Sequence, residues 1–218
     1  MPLYPLGISR SREVPNVPQQ AAGSVNMRWF LDGELACAYI DAPHDAIQPM
    51  LHATALNAIH RRICVLPMRF GIALQNESEI SDLLQNRREE LLDHISRLDR
   101  ACEMGLRISP PNPPKTANGG HLQTQSPLAY IERRRMHYQQ TDANVERENS
   151  ISQQFVERLQ GCYRQWHKLP SSSSHPIRLA FLVERDCVTA FMNHVENVRK
   201  ELEERCIVLG PWPPYSFV

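Results

Sequence analysis

At 218 residues the chain is long enough to bury one large core or two smaller ones. Its 24 basic and 24 acidic residues cancel, which removes the global charge that nucleic acid or an anionic membrane surface would attract. No apolar run approaches the ~20 residues of a spanning helix, and the opening Met1-Pro2-Leu3-Tyr4-Pro5-Leu6 is not expected to act as a secretion signal, having no basic segment and no long apolar stretch.

In chain order, Leu3 to Ile8 reads as a first strand weakened by Pro5, and Ser9 to Ser24 as a polar, proline-containing loop. Met27 to Leu31 and Leu35 to Asp41 flank Asp32-Gly33, a hairpin turn signal. The small residues Ala36, Cys37 and Ala38 let a helix approach the second of these strands closely. Pro43 to Asp45 reads as a turn. Pro49 to His60 is predicted helical, with Met50, Ala53, Leu56 or Asn57, and His60 near one face. Ile63 to Phe70 is β-rich, with Pro67 marking an edge or a bulge.

Glu79 to Arg100 carries Ile80, Leu83, Leu84, Leu91, Ile95 and Leu98 at helical spacing, and Ser78 is the predicted N-cap. Glu103 to Ile108 alternates as a half-buried strand. Ser109 to Ser126 is rich in Pro, Gly and Asn, and reads as a long loop. The span 127–168 is predicted to be one long helix or two end to end, with Ile151, Phe155, Leu159, Cys162 and Trp166 on its apolar stripe. Pro170 and Ser171 to Ser174 break it. Ile177, Leu179, Phe181 and Val183 then form a strand, and Asp186 caps a helix running to about Arg205. Cys206 to Leu209 is the last strand, ended by Gly210.

These elements predict an α+β chain of two small domains, residues 1–101 and 102–218. The second has most of a ferredoxin-like βαββαβ pattern, with one strand missing or displaced, and an extended C-terminal tail. That tail, Gly210-Pro211-Trp212-Pro213-Pro214-Tyr215-Ser216-Phe217-Val218, has prolines too dense for a helix or a central strand, and three aromatics at the very end. The two readings are a docked end and a ligand for a partner module. Docking is favoured because the tail follows a strand of the second domain, so Trp212 and Phe217 are expected to be buried.

Chemistry-bearing patterns are sparse. No His-x-x-x-His or Glu-x-x-His pair marks a metal site, and no cofactor is expected. No Gly-rich phosphate loop or nucleophile elbow is present, and Cys64 beside His60 is a weak nucleophile–base candidate, so no catalytic residue is assigned and an enzyme is not expected. Cysteines 37, 64, 102, 162, 187 and 206 read as small buried hydrophobes in a reducing compartment. Arg133-Arg134-Arg135 reads as a solvated helix face balanced by Glu132, Glu146 and Glu148, the other reading being a patch for nucleic acid or an acidic partner.

Two segments, far apart in the chain, carry a family resemblance. Leu66, Pro67, Arg69, Phe70 and Gly71 match a Leu-Pro-x-Arg-Phe-Gly signature, and Gly210, Pro211, Trp212, Pro213, Pro214, Tyr215 and Phe217 match a C-terminal ending; both resemble the gas vesicle protein F/L family. The opening strand, the strand beginning at Glu103 and the segment 128–135 resemble that family as well. The resemblance implies two α+β domains, the second a modified ferredoxin-like fold. It also implies a non-enzymatic accessory or minor structural protein that binds the apolar major shell protein, and other gas vesicle accessory proteins, and limits shell-protein aggregation during nucleation. Nucleic acid and membrane are not expected as partners. The expected location is the cytoplasm and the gas vesicle, as a minor or transient component. Leu66 to Gly71 has the plainer reading of a core or edge strand ending in a tight turn. The alternative function is a small intracellular ligand-binding or regulatory module of ferredoxin-like type.

Overall fold

The computed structural model describes residues 1–16, 27–43, 47–109, 145–170 and 176–218. The loop expected at 109–126, the start of the helical span at 127 and the Arg133–Arg135 patch fall largely or wholly outside these residues, as does most of the turn at Pro43. The chain divides into two compact units, Met1–Glu103 with Pro211–Val218, and Met104–Gly210. The expectation at 102–218 kept the tail with the second domain; the division groups Pro211–Val218 with the first unit instead.

The first unit holds β1 (Leu3–Arg10), β2 (Met27–Asp32), β3 (Leu35–Asp41), α1 (Pro49–His60), β4 (Leu66–Pro67), α2 (Glu77–Asn86) and α3 (Arg88–Leu98). Its sheet runs β2-β3-β1-β4 with antiparallel pairing. The β2–β3 turn forms at Asp32-Gly33, where Gly33 takes φ of +59°. β3 is buried on both faces because each face has a helical cover. Ala38 and Ile40 join Leu56 and Ile59 of α1 in one core, while the Tyr39 hydroxyl donates to Glu77 Oε1 of α2 at 2.5 Å. Burial, reinforced by that bond to Glu77, pushes the Tyr39 phenol up to about 12.

Three local readings are corrected in this unit. The buried face of α1 is His52, Ala55, Leu56, Ile59 and His60, and Met50 is 76% exposed. The inward stripe has strict helical spacing but begins with a histidine, which an apolar pattern passes over. The helix expected from Glu79 to Arg100 is two helices, because Arg87 leaves helical geometry at φ −122°, ψ 21°. Ile80, Leu84, Leu91, Ile95 and Leu98 are nevertheless all buried. The N-cap is Asn76 rather than Ser78: its side chain accepts from the Glu79 N–H at 3.2 Å, and Glu79 accepts in return from the Gln75 N–H at 2.9 Å.

In sequence order the second sheet uses β5 (Ala101–Ser109), β6 (Gln165–Leu169), β7 (Ile177–Glu184) and β8 (Arg205–Trp212), with α4 over 145–158 and α5 at Val188–Leu202. Strand order is β6-β7-β5-β8, so the described elements complete the ferredoxin-like βαββαβ arrangement. The strand missing from the sequence reading is β6. Trp166, whose spacing fits a helical stripe, pairs with Phe181 of β7. Gly161 explains the change of structure: its φ of +87° is a glycine conformation that ends the helical path after residue 158. Phe155 of α4, Phe181 of β7 and Phe191 of α5 are fully buried, and the Phe181 and Phe191 rings lie 5.4 Å apart.

Two ends also move. α5 stops at Leu202, with Glu203 in the left-handed region, instead of reaching Arg205; Asp186 lies in a short 3-10 turn, and the N-cap position of α5 is Cys187. β8 continues through Gly210 and Pro211 to Trp212.

The seat of β4 depends on Gly7, which pairs with Pro67. A Cβ at residue 7 meets Val65 Cγ2 at 2.5 Å and the Leu66 carbonyl oxygen at 2.8 Å. Gly7→Ala is therefore expected to cost about 1–3 kcal/mol in chemical denaturation, through displacement of β4; an unchanged midpoint and slope would count against this packing.

Candidate functional site

The two signature segments occupy different settings. Leu66 and Pro67 are buried in β4, where they pair with Ile8 and Gly7, and the Met68 N–H donates to the Leu6 carbonyl at 2.9 Å. The strand expected over Ile63 to Phe70 thus shortens to two residues in ladder pairing. The flanking Ile63, Cys64 and Val65 are buried without joining that ladder. Among the described residues β4 is the last strand on its side of the sheet, which suits Pro67.

Beyond β4 the signature turns outward. Arg69, Phe70 and Gly71 are exposed, and Gly71 has φ of +92°, a conformation that favours glycine. Phe70 remains 45% exposed while its ring stands edge-on to His52, centroids 5.7 Å apart and planes at 77°. His52 itself is buried, and burial lowers its pKa against the opposing hydrogen bond to the Pro5 carbonyl. A neutral, packed imidazole thus supports one side of an exposed phenylalanine. Ile72 is also exposed.

The tail is held by charge and by apolar contact. Pro213 and Pro214 are buried, and Tyr215–Phe217 form a single 3-10 turn in which the Phe217 N–H donates to the Pro214 carbonyl at 3.2 Å. This turn presents Ser216 to Glu103, a carboxylate only 5% exposed. The Ser216 N–H donates to Glu103 Oε2 at 2.7 Å, and its hydroxyl donates to Oε1 at 2.9 Å. Both are charge-assisted bonds to a buried acceptor, the stronger class of hydrogen bond. Burial first, and the negative charge of Glu103 second, raise the pKa of the Tyr215 phenol.

Phe217 is buried, in line with the sequence expectation, but Trp212 is not: it retains 37% of its surface. Two features explain the difference. Among the described residues β8 is an edge strand with a neighbour on one side, and Gly210, at φ +113°, interrupts the alternation that exposes Arg205 and Ile207 and half-buries Cys206 and Val208. Gly210 and Pro211 are themselves exposed. Glu103 escaped the sequence reading as an anchor. The available signal was a carboxylate inside an otherwise apolar strand, between Cys102 and Met104.

The arrangement offers contact surface. Among the described residues no group of three or more metal-ligating side chains converges. The Cys64 thiol donates to the Ile95 carbonyl at 3.6 Å, so its hydrogen-bonding is directed into the core. Burial raises the Cys37 thiol to about 12, which leaves it protonated and unreactive near neutrality.

If the tail is a docked element, Ser216→Ala is expected to cost about 1–2 kcal/mol, and Phe217→Ala about 2–5 kcal/mol, both read as a lower denaturation midpoint of the full chain. A tail that hangs free would leave both midpoints unchanged.

Comparison with known proteins agrees with these features. Residues 4–218 match the family model described as gas vesicle synthesis protein GvpL/GvpF. Gas vesicle protein F of Streptomyces sp. (strain CB03234) is 29% identical, with all of both chains covered. Gas vesicle protein L of the same strain is 25% identical over 76% of this chain and 66% of its own length. Two crystal structures share the fold: gas vesicle protein GvpF from Anabaena sp. PCC7120, at TM-score 0.76 and 17% identity over 99% of this chain and 95% of that one, and GvpF from Microcystis aeruginosa, at TM-score 0.73 and 16% identity over 99% and 98%. The chain belongs to the GvpL/GvpF family of gas vesicle synthesis proteins.

Proposed function

We propose that this protein is a non-enzymatic accessory or minor structural factor of gas vesicle assembly, which binds the apolar major shell protein and limits its aggregation during nucleation. The observation that carries this reading is the family match across residues 4–218. The geometry supports it by supplying apolar side chains that face outward from ordered elements. Phe70 and Ile72 follow the edge strand β4, and Ile207 stands 61% exposed on the edge strand β8. Surface apolar groups beside strand edges are suited to an extended apolar partner segment. Rigid presentation also reduces the ordering cost of binding.

On this proposal the signature residues divide their roles. Leu66, Pro67 and Gly71 shape the edge and its exit, whereas Phe70 offers contact area. Pro213, Pro214 and Phe217 fix the tail, whereas Trp212 and Tyr215 keep exposed surface. The protein would act in the cytoplasm on forming vesicles, as a transient or minor component, and contacts with other gas vesicle accessory proteins fit the same surfaces. No described helix is long and apolar enough to cross a membrane. The groups that would draw attention as a ligand pocket, Tyr39 and His52, owe their shifted pKa values first to burial in the first unit.

The test is co-expression of the tagged full chain with a major gas vesicle shell protein. Capture of the shell protein, and a larger soluble fraction of it, is expected. Phe70→Ser with Ile72→Ser is expected to reduce capture several-fold while shifting Tm by no more than about 2 °C, since surface substitutions cost little. No capture by the unmodified chain would contradict the proposal.

A further inference from the structure

β2 ends the first unit's sheet, and among the described residues no strand pairs with its outer edge. It reads Met27-Arg28-Trp29-Phe30-Leu31-Asp32. Exposed edges are usually protected by proline, by a bulge or by charges that repel a second strand. β2 carries no proline and pairs with β3 residue for residue, without a bulge. Leu31 keeps 57% of its surface, and Trp29 and Phe30 are half-buried. The two charges of the strand, Arg28 and Asp32, are of opposite sign.

The hairpin decides which backbone groups face outward. The two-residue turn at Gly33-Glu34 makes Asp32 and Leu35 a hydrogen-bonded pair, and such pairs alternate along an antiparallel ladder. Phe30 and Arg28 therefore also turn their N–H and C=O groups toward β3, whereas Trp29 and Leu31 turn theirs to the open edge. The side chains alternate between the two faces of the sheet. Arg28, Phe30 and Asp32 share the face on which Ser81 and Gln85 of α2 bond Asp32. Leu31 shares the other face with Trp29, which packs against the α1 core.

Both charges have unused bonding capacity. Ser81 Oγ, at 2.8 Å, and Gln85 Nε2, at 3.1 Å, both donate to Asp32 Oδ2, which leaves Oδ1 without a hydrogen bond among the described residues. These two bonds hold the Asp32 pKa below its ordinary value, so the group is an anion near neutrality. Arg28 has a 60% exposed side chain, and its guanidinium lies over the Tyr39 ring. It reaches Asp41 Oδ2 only at 3.9 Å, beyond hydrogen-bond distance. Arg28 and Asp32 stand about 13 Å apart along the strand, so they cannot meet within one chain.

We propose that β2 pairs antiparallel with β2 of a second copy of this chain, about a two-fold axis through Phe30, joining two four-stranded sheets into one continuous sheet. In that register Arg28 of each copy faces Asp32 of the other, and Trp29 of each faces Leu31 of the other. The rotation thus brings together the charges that one chain keeps apart, and it covers the exposed Leu31. The outward groups of Trp29 and Leu31 supply about four backbone hydrogen bonds. An axis at Trp29 would instead set Arg28 against Phe30 and forfeit both ion pairs, so charge selects the register. The interface uses the same patch on both copies and closes with two, so the pairing does not propagate. β4 lies at the other side of the sheet, so pairing through β2 leaves the β4 side open.

The experiment is sedimentation of the full chain over a dilution series. The expected result is a reversible dimer of the 25.0 kDa chain that dissociates on dilution. Arg28→Glu and Asp32→Lys, each of which sets like charges face to face twice, should each raise the dimer Kd by about tenfold or more. An equimolar mixture of these two variants should dimerise again, because each then faces its opposite. Arg28→Glu alters an exposed side chain, and Leu31→Lys on the same edge should also weaken the dimer. These two keep the test valid if Asp32→Lys, which loses its bonds to α2, folds poorly. A monomer at every concentration, a dimer indifferent to Arg28→Glu and Leu31→Lys, or mass that grows beyond two copies would each overturn the proposal.

Discussion

A carboxylate held at 5% exposure must be met by donors, because an unpaired buried charge is strongly unfavourable. Glu103 is met by the tail, through both the backbone N–H and the hydroxyl of Ser216. That requirement fixes the 3-10 turn at Tyr215–Phe217, and the turn in turn directs Phe217 into a buried position. The prolines assist from the other side of the equilibrium. Their fixed φ reduces the freedom of the unfolded tail, so less entropy is lost when it docks. An apolar chain end is thus made part of the first unit by one charged residue and one aromatic ring.

The same unit shows how buried and exposed parts of a signature work together. Gly7 has no side chain because β4 lies too close for one. The Val65 side chain and the Leu66 carbonyl fill that space, and Gly71 supplies the left-handed exit. Phe70 is left outside with His52 behind its ring. A residue run that reads as one motif is physically two things: a packed edge strand and an outward-facing ring. The tail divides in the same way, with Phe217 inside and Trp212 turned out beyond Gly210. The proposed contact with shell protein rests on the outward parts, whose exposure depends on the inward parts staying packed.

Much of this was legible in the residues. The bounds of α1 and of the β2–β3 hairpin follow from Pro49, Asp32-Gly33 and the apolar runs around them, and the docking of Phe217 follows from an aromatic end that leaves a strand. Other features depended on tertiary context. Trp166 continues a helical spacing from Ile151, and only the positive φ of Gly161 reveals that the chain has already turned into β6. The buried face of α1 begins with His52, a residue whose burial is set by Phe70 and by the Pro5 carbonyl, neither of them local in sequence. Glu103 could be seen as an oddity in a strand, but not as a tail anchor, since its partner lies at the far end of the chain. Trp212 has the same composition-level signal as Phe217, and differs because it sits on a strand edge.

The central claim is that the C-terminal tail is an ordered part of the fold, anchored on Glu103. Residue-resolved amide exchange of the full chain tests it most directly, because the Ser216 N–H has a buried carboxylate oxygen 2.7 Å away. The account predicts exchange slowed more than about a hundredfold relative to an unstructured peptide, with the protection lost in Glu103→Ala. Exchange of Ser216 at the free-peptide rate would contradict it.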